Sequence, residues 1–342
     1  MNGGTGITQQ SGGAALVAAL AAHEVQAVFG IPGTHNLAAY EALASTPTIR
    51  HVLARHEQGA GFMADGFARA SGRFGVCLST TGPAALNVLT PLGTAFADSV
   101  PILSIASEIP AAGLGLGKGY LHECRDQLGC YAPVTKVSAL VTEVTDIGST
   151  VADAVAAMRT GRPRPAALDI PCDVLDADAG CEPIGPHEIP EASCDLGAVA
   201  RAAELLAEAR RPLIWAGGGV TRSGAGAALV HLAEQLDAPV FCTVLGKGMI
   251  PDDHPLAAGA GFLHPAAAKL RENCDVLLAL GTGLGQLETG NWQLEMPPGV
   301  IQVDIDPGAI GRNYPVTEGV LGDVNVALEA LSATISDNCR EA

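Results

Sequence analysis

The sequence is short of lysine, of aromatic residues and of long apolar runs. Only four lysines (Lys118, Lys136, Lys247 and Lys269) stand among 19 basic residues, against 36 acidic ones, for a net charge of −17. Phosphate arrays are bound by clustered Lys and Arg, so the balance argues against nucleic acid and anionic membrane surfaces as partners. No stretch approaches the roughly 20 uncharged apolar residues that span a bilayer. Met1 to Gly13 lacks a basic region followed by an apolar one, which argues against a secretory signal and for a cytoplasmic protein. The nine cysteines contain no C-x-x-C pair, and several sit in apolar runs such as Val76-Cys77-Leu78 and Phe241-Cys242-Thr243. They read as buried free thiols rather than as zinc ligands or disulfides.

What the chain does have is Ala, Val, Leu and Gly in alternation. With 342 residues, 48% of them hydrophobic, it has material for two packed α/β domains. Short β-branched runs alternate with longer amphipathic ones, the pattern of parallel sheets with crossover helices. In the first half, strands are expected near residues 27–30, 49–54, 75–79, 102–106 and 166–170. Helices are expected at 14–23, 36–44, 58–70, 84–98 and 146–158. The Gly-rich stretch from Pro110 to Gly129 reads as a long functional loop. Between Pro171 and Cys194 the composition turns to Asp, Glu, Pro and Gly without periodicity, which reads as a linker. In the second half, strands are expected at 213–217, 240–244, 276–280 and 300–304, with helices at 197–209, 225–236 and 324–335. The expectation is two doubly wound parallel-sheet domains, at 1–180 and 195–342.

Three strand ends of the first half carry polar residues. Glu57 opens an Ala/Gly-rich helix, where apolar neighbours raise a carboxyl pKa and the helix N-terminus lowers it. Val28-Phe-Gly-Ile-Pro-Gly33-Thr34-His35-Asn36 and Ser79-Thr-Thr-Gly-Pro-Ala-Ala-Leu-Asn87 each end a strand in a turn built with Pro and Gly. All three would lie at the carboxyl edge of one parallel sheet, where α/β proteins bind ligands.

These segments resemble the thiamine diphosphate-dependent enzymes of the acetolactate synthase type. Phe29-Gly-Ile-Pro-Gly33, Arg55-His-Glu-Gln-Gly59, Ala64-Asp-Gly-Phe-Ala-Arg69, Thr81-Gly-Pro83 with Asn87, and Asp98-Ser-Val-Pro-Ile102 look like the pyrimidine-binding domain in order and spacing. Ala216-Gly-Gly-Gly219, Leu236-Asp-Ala-Pro-Val240, Lys247-Gly-Met-Ile-Pro251 and Val303-Asp-Ile-Asp-Pro307 look like the Rossmann-like central domain. The resemblance implies that Glu57 hydrogen-bonds the cofactor's aminopyrimidine and so promotes removal of the thiazolium C2 proton. It implies that Pro32, Gly33, Thr81, Gly82 and Asn87 line the cofactor pocket, and that a 2-oxo acid is decarboxylated or its acyl unit transferred. His35 and His122 are the candidate proton donors or substrate anchors. Tyr120-Leu-His-Glu123, with Asp126-Gln127, is closer to guanidino-oxopentanoate decarboxylases than to the Phe-Gln-Glu of acetolactate synthases. The family's Gly-Pro-Gly-x-Thr-Asn is here Gly82-Pro-Ala-Ala-Leu-Asn87, so Ala84 and Leu86 stand where the pattern has glycine and threonine.

The family's third domain, marked by Gly-Asp-Gly and a later Asn, has no counterpart; Gly322-Asp323-Val324 is the nearest match. No metal ligands are therefore assigned, and magnesium with the diphosphate is expected on a separate subunit of a split, hetero-oligomeric enzyme. Two other readings stand beside it: a regulatory or assembly partner of a complete thiamine enzyme, and a nucleotide-binding module. The second rests on Gly281-Thr-Gly283-Leu-Gly285 after a strand, which resembles an FAD or dinucleotide turn with its third glycine misplaced.

Overall fold

The computed structural model describes residues 9–180 and 183–341, and the chain divides into two compact units, Met1–Pro190 and Glu191–Ala342. The first contains β1 (Gln9–Ser11), α1 (Gly12–Ala22), β2 (Ala27–Gly30), α2 (Leu37–Ala44), β3 (Arg50–Leu53), α3 (Glu57–Ser71), β4 (Gly75–Ser79), α4 (Pro83–Asn87), α5 (Leu89–Asp98) and β5 (Ile102–Glu108). It continues with α6 (Gln127–Tyr131), β6 (Val137–Leu140), α7 (Ile147–Arg159), β7 (Ala166–Pro171), α8 (Cys172–Asp176) and β8 (Asp178–Gly180). Six strands form one wholly parallel sheet in the order β3-β2-β4-β5-β7-β6, while β1 and β8 form a separate antiparallel ribbon.

Strand pleating sends alternate residues to opposite faces, so each central strand feeds two cores. Val28, Val76, Leu103, Ile105, Leu168 and Ile170 pack with α1, α2 and α7. Phe29, Cys77, Ile102, Ala106 and Ala167 pack with α3 and α5 on the other side. Small residues on α3, namely Ala60, Ala64 and Ala68, bring that helix close to the sheet. Its start is thereby held against the ends of the strands.

The second unit contains α9 (Leu196–Glu208), β9 (Pro212–Ala216), α10 (Gly218–Arg222), α11 (Gly226–Leu236), β10 (Val240–Cys242), β11 (Ala257–Gly259), α12 (Ala268–Asn273), β12 (Val276–Leu280), β13 (Gly299–Asp304), β14 (Glu318–Leu321) and α13 (Val324–Glu341). Its sheet is also six-stranded and parallel, ordered β11-β10-β9-β12-β13-β14. Two doubly wound α/β units are thus what the alternation predicts.

Several expectations are corrected. The helix expected at 84–98 is divided into α4 and α5 at Val88. The segment read as linker is structured at its start: Val174 and Leu175 of α8 are core residues, and β8 pairs with β1. The strands β6 and β14 went unread because each is only four residues long and largely half-exposed. Of the cysteines, Cys77, Cys242 and Cys274 are buried free thiols, whereas Cys124, Cys130, Cys172 and Cys194 are free but only half-buried. Cys181 and Cys339 lie outside the residues whose side chains are described. Among the described residues no helix is long and apolar enough to cross a membrane.

Candidate functional site

The carboxyl edge of the first sheet collects the sequence-predicted residues into two groups. Glu57, the first residue of α3, is half-buried and accepts a 2.9 Å hydrogen bond on Oε2 from Asn87 Nδ2 at the end of α4. Among the described residues its Oε1 has no hydrogen-bond partner. The sequence places these residues at the ends of neighbouring segments, because β3 leads into α3 and β4 leads into α4.

The second group lies around Thr81. Its hydroxyl, fully buried, is 2.9 Å from His35 Nδ1 and 3.1 Å from Ser107 Oγ at the end of β5. His35 and His122 face each other with ring centroids 6.1 Å apart. Burial holds the His35 pKa below the ordinary imidazole value, the neighbouring His122 lowers it further, and Asp176 opposes both. His122 is exposed and adopts φ of +61°, in the segment between β5 and α6.

Gly82 has φ of +63°, and a side chain there would meet the His122 carbonyl at 2.0 Å. Glycine is required because the chain packs against itself at that point, and the loop carrying His122 rests on the turn. Pro32 is exposed, and the Gly33 amide donates to Asn36 Oδ1 at 2.8 Å, which fixes the turn leading into α2.

Besides Ser107, three residues to which the sequence reading gave no role in the site lie beneath this edge. Gln127, at the start of α6, is buried and makes three hydrogen bonds: its Oε1 accepts from Gly82 N (2.5 Å), and its Nε2 donates to the Ser107 carbonyl (3.0 Å) and to Asp169 Oδ1 (2.9 Å). Asp169, on β7, is fully buried, and its Oδ2 has no partner among the described residues. Burial pushes its pKa up to about 7; the Gln127 hydrogen bond opposes the shift, and Glu108 and Asp126 add to it. Glu108 is itself raised by burial, against the hydrogen bond it accepts from Ile109 N. The sequence signals were Asp126-Gln127, noted only as part of the family resemblance, and an acidic residue inside the apolar run Ala166-Ala-Leu-Asp-Ile170.

The chain is similar to known proteins over most of its length. Residues 10–130 match the family described as "Thiamine pyrophosphate enzyme, N-terminal TPP binding domain", and residues 199–331 match "Thiamine pyrophosphate enzyme, central domain". A probable 2-ketoarginine decarboxylase of Pseudomonas aeruginosa is 43% identical over 332 residues, which is 96% of this chain and 59% of the relative. A probable acetolactate synthase large subunit of Methanocaldococcus jannaschii is 39% identical over 340 residues, 95% of this chain and 56% of the relative. An acetolactate synthase of Arthrospira platensis is 35% identical over 337 residues, 94% of this chain and 58% of the relative. The chain therefore spans little more than half the length of these relatives.

Proposed function

Because the chain belongs to the thiamine pyrophosphate enzyme family, with its N-terminal and central domains in order, we propose that the carboxyl edge of its first sheet is the aminopyrimidine half of a thiamine diphosphate site acting on a 2-oxo acid. The observation that carries this is the pair of Glu57 and Asn87. A half-buried carboxylate held through one oxygen, with the other open, suits a ring nitrogen with which a proton must be exchanged.

The residues present fit the pyrimidine end of the cofactor. Glu57 would meet the ring nitrogen, with Asn87, Thr81, Gly82, Pro32 and Gly33 around it. When bound, the cofactor supplies the electron sink that lets a 2-oxo acid lose carbon dioxide. Glu57 holds and returns the proton, and Asn87 fixes which carboxylate oxygen is free to do so. His35, its pKa lowered by burial and by His122, is neutral near pH 7 and serves as a hydrogen-bond partner rather than a fixed positive anchor. The exposed His122 is assigned to the substrate.

Among the described residues no three His, Cys, Asp or Glu side chains are arranged to hold a metal. The proposal assigns magnesium and the diphosphate to a further domain on a separate subunit. The relatives named above support decarboxylation or acyl transfer of a 2-oxo acid. Affinity capture of the tagged chain from its native cells tests the subunit arrangement. A separate co-purifying protein bearing Gly-Asp-Gly supports it, and a longer form of this chain carrying that motif overturns it.

The chemistry is tested in the completed enzyme by carbon dioxide release from 2-oxo acids. Glu57→Gln should lower turnover about 100-fold or more, the scale of a positioned proton-transfer group. Near-normal turnover overturns the assignment. It would favour the second reading, a regulatory or assembly partner, which draws on Ala84 and Leu86 standing where the family pattern has Gly and Thr.

A further inference from the structure

One planar side-chain amide grips the two residues whose hydroxyls reach His35. Gln127 Oε1 accepts from the amide that joins Thr81 to Gly82, and Gln127 Nε2 donates to the carbonyl of Ser107. Thr81 and Ser107 are the residues whose hydroxyls lie 3.1 Å apart and lead to His35 Nδ1. The orientation of the amide is determined by its partners. Flipping it would set its NH2 against the Gly82 N–H and its oxygen against two acceptors. Asp169 holds the same NH2 from β7.

We propose that Gln127, anchored by Asp169, is a positioning residue that sets the tautomer and orientation of the His35 imidazole through Ser107 and Thr81, and fixes the Thr81–Gly82 turn. The reason lies in donor counting. Each hydroxyl donates once, and Ser107 Oγ has two neighbours, Thr81 Oγ1 at 3.1 Å and Thr80 Oγ1 at 3.3 Å. When Ser107 donates to Thr80, Thr81 donates to Ser107, and His35 must donate from Nδ1, leaving Nε2 as the acceptor. When Ser107 donates to Thr81, Thr81 is free to donate to His35 Nδ1, and the proton resides on Nε2. Both patterns need the Thr81–Ser107 hydrogen bond, whose length is set by the backbone spacing that the Gln127 amide bridges; without that bond Thr81 is free to donate to or accept from His35, and the tautomer preference is lost. A buried network with every member engaged rigidifies its site, and loss of one member leaves others unpaired.

The role assigned to His35 in turnover rests on the proposed function; its tautomer does not. The test is therefore nitrogen-15 NMR of the histidine side chains in the full chain, with His35 assigned from a His35→Gln variant. Wild type should show one dominant His35 tautomer. Gln127→Ala and Ser107→Ala should each reduce that preference about fivefold or more, on the scale of one lost hydrogen bond. Asp169→Asn, which keeps an acceptor oxygen for Gln127, should preserve it.

Thr135→Val is the control. It removes another buried hydrogen bond at α6, from Thr135 Oγ1 to the Tyr131 carbonyl, without touching the chain to His35. It should leave the His35 signals unchanged. The proposal falls if folded Gln127→Ala keeps the wild-type tautomer ratio, or if Thr135→Val shifts it equally. Should Gln127→Ala not fold, Gln127→Met, which keeps the side chain's length and loses its three hydrogen bonds, decides in its place. A normal tautomer response together with near-normal turnover of Glu57→Gln would overturn the functional reading and leave this one standing.

Discussion

Gln127 in the first unit and Gln302 in the second are the same device put to different ends. Both are buried amides with three hydrogen bonds. Gln302 donates to the carbonyls of Thr282 and Ala309 and accepts from Gly311 N, so all its partners are backbone. Gln127 ties backbone to Asp169, and through Ser107 and Thr81 it reaches His35. The two sheets share their parallel topology and doubly wound form, yet the first edge is joined to groups that gain and lose protons. The other consists of turns packed on one another. A side chain at Gly219 would meet Gly281 Cα at 2.5 Å, and Gly219 N donates to the Gly281 carbonyl. Fold is common to both edges, and the proposed chemistry belongs to one.

The contrast is broken most strongly by pH. Asp169 keeps its proton in the folded state up to about pH 7, whereas an unfolded Asp releases it near 4. The stability this contributes is complete below about pH 4 and is lost as pH rises through 7. Three pKa units correspond to about 4 kcal/mol. Thermal melts from pH 4 to 8 should therefore show a decline that Asp169→Asn largely removes, and a wild-type curve already as flat as the variant's would contradict it. The groups whose charge acts on Asp169 are Glu108 and Asp126, and the melts report them together.

Next in size are the glycine turns. Gly82→Ala must enter a left-handed backbone and displace the His122 carbonyl, and Gly219→Ala must push its own backbone away from that of Gly281. Each should cost about 3 kcal/mol, visible in denaturant titration. Only the first should also disturb the His35 and His122 resonances. Gln302→Ala, which orphans buried groups, should cost about 2 kcal/mol while leaving those resonances and the pH profile unchanged. A Gln302→Ala protein with altered histidine signals would show that the two edges are not independent. The smallest effect is His122→Ala. It removes the repulsion but not the burial at His35, so the His35 titration midpoint should rise partway toward the ordinary imidazole value.

Apolar periodicity made the central strands and long helices legible, because both sheet faces are buried and each strand reads as a continuous apolar run. It failed where burial fails, at β6 and β14, and where pairing is remote, as between β1 and β8, whose partners are separated by most of the first unit. Glu57 and Asn87 stood out because each lies in a local motif, but the hydrogen bond between them crosses 30 residues. Ser107, Gln127 and Asp169 were not singled out for the same reason. Their partners lie 20 to 46 positions away along the linked chain from Asp169 to His35. Gly281, Gly283 and Gly285 were read as a nucleotide turn and Gly219 as part of a central-domain motif; in the fold Gly219 and Gly281 pack against each other across two strand ends.

The most direct test of Glu57 as the cofactor-activating carboxylate is the rate of hydrogen–deuterium exchange at the thiazolium carbon of bound thiamine diphosphate, measured by quenched NMR in the completed enzyme. Wild type should exchange faster than the Glu57→Gln enzyme by about 100-fold or more. Equal rates, with the cofactor bound in both, would contradict the account.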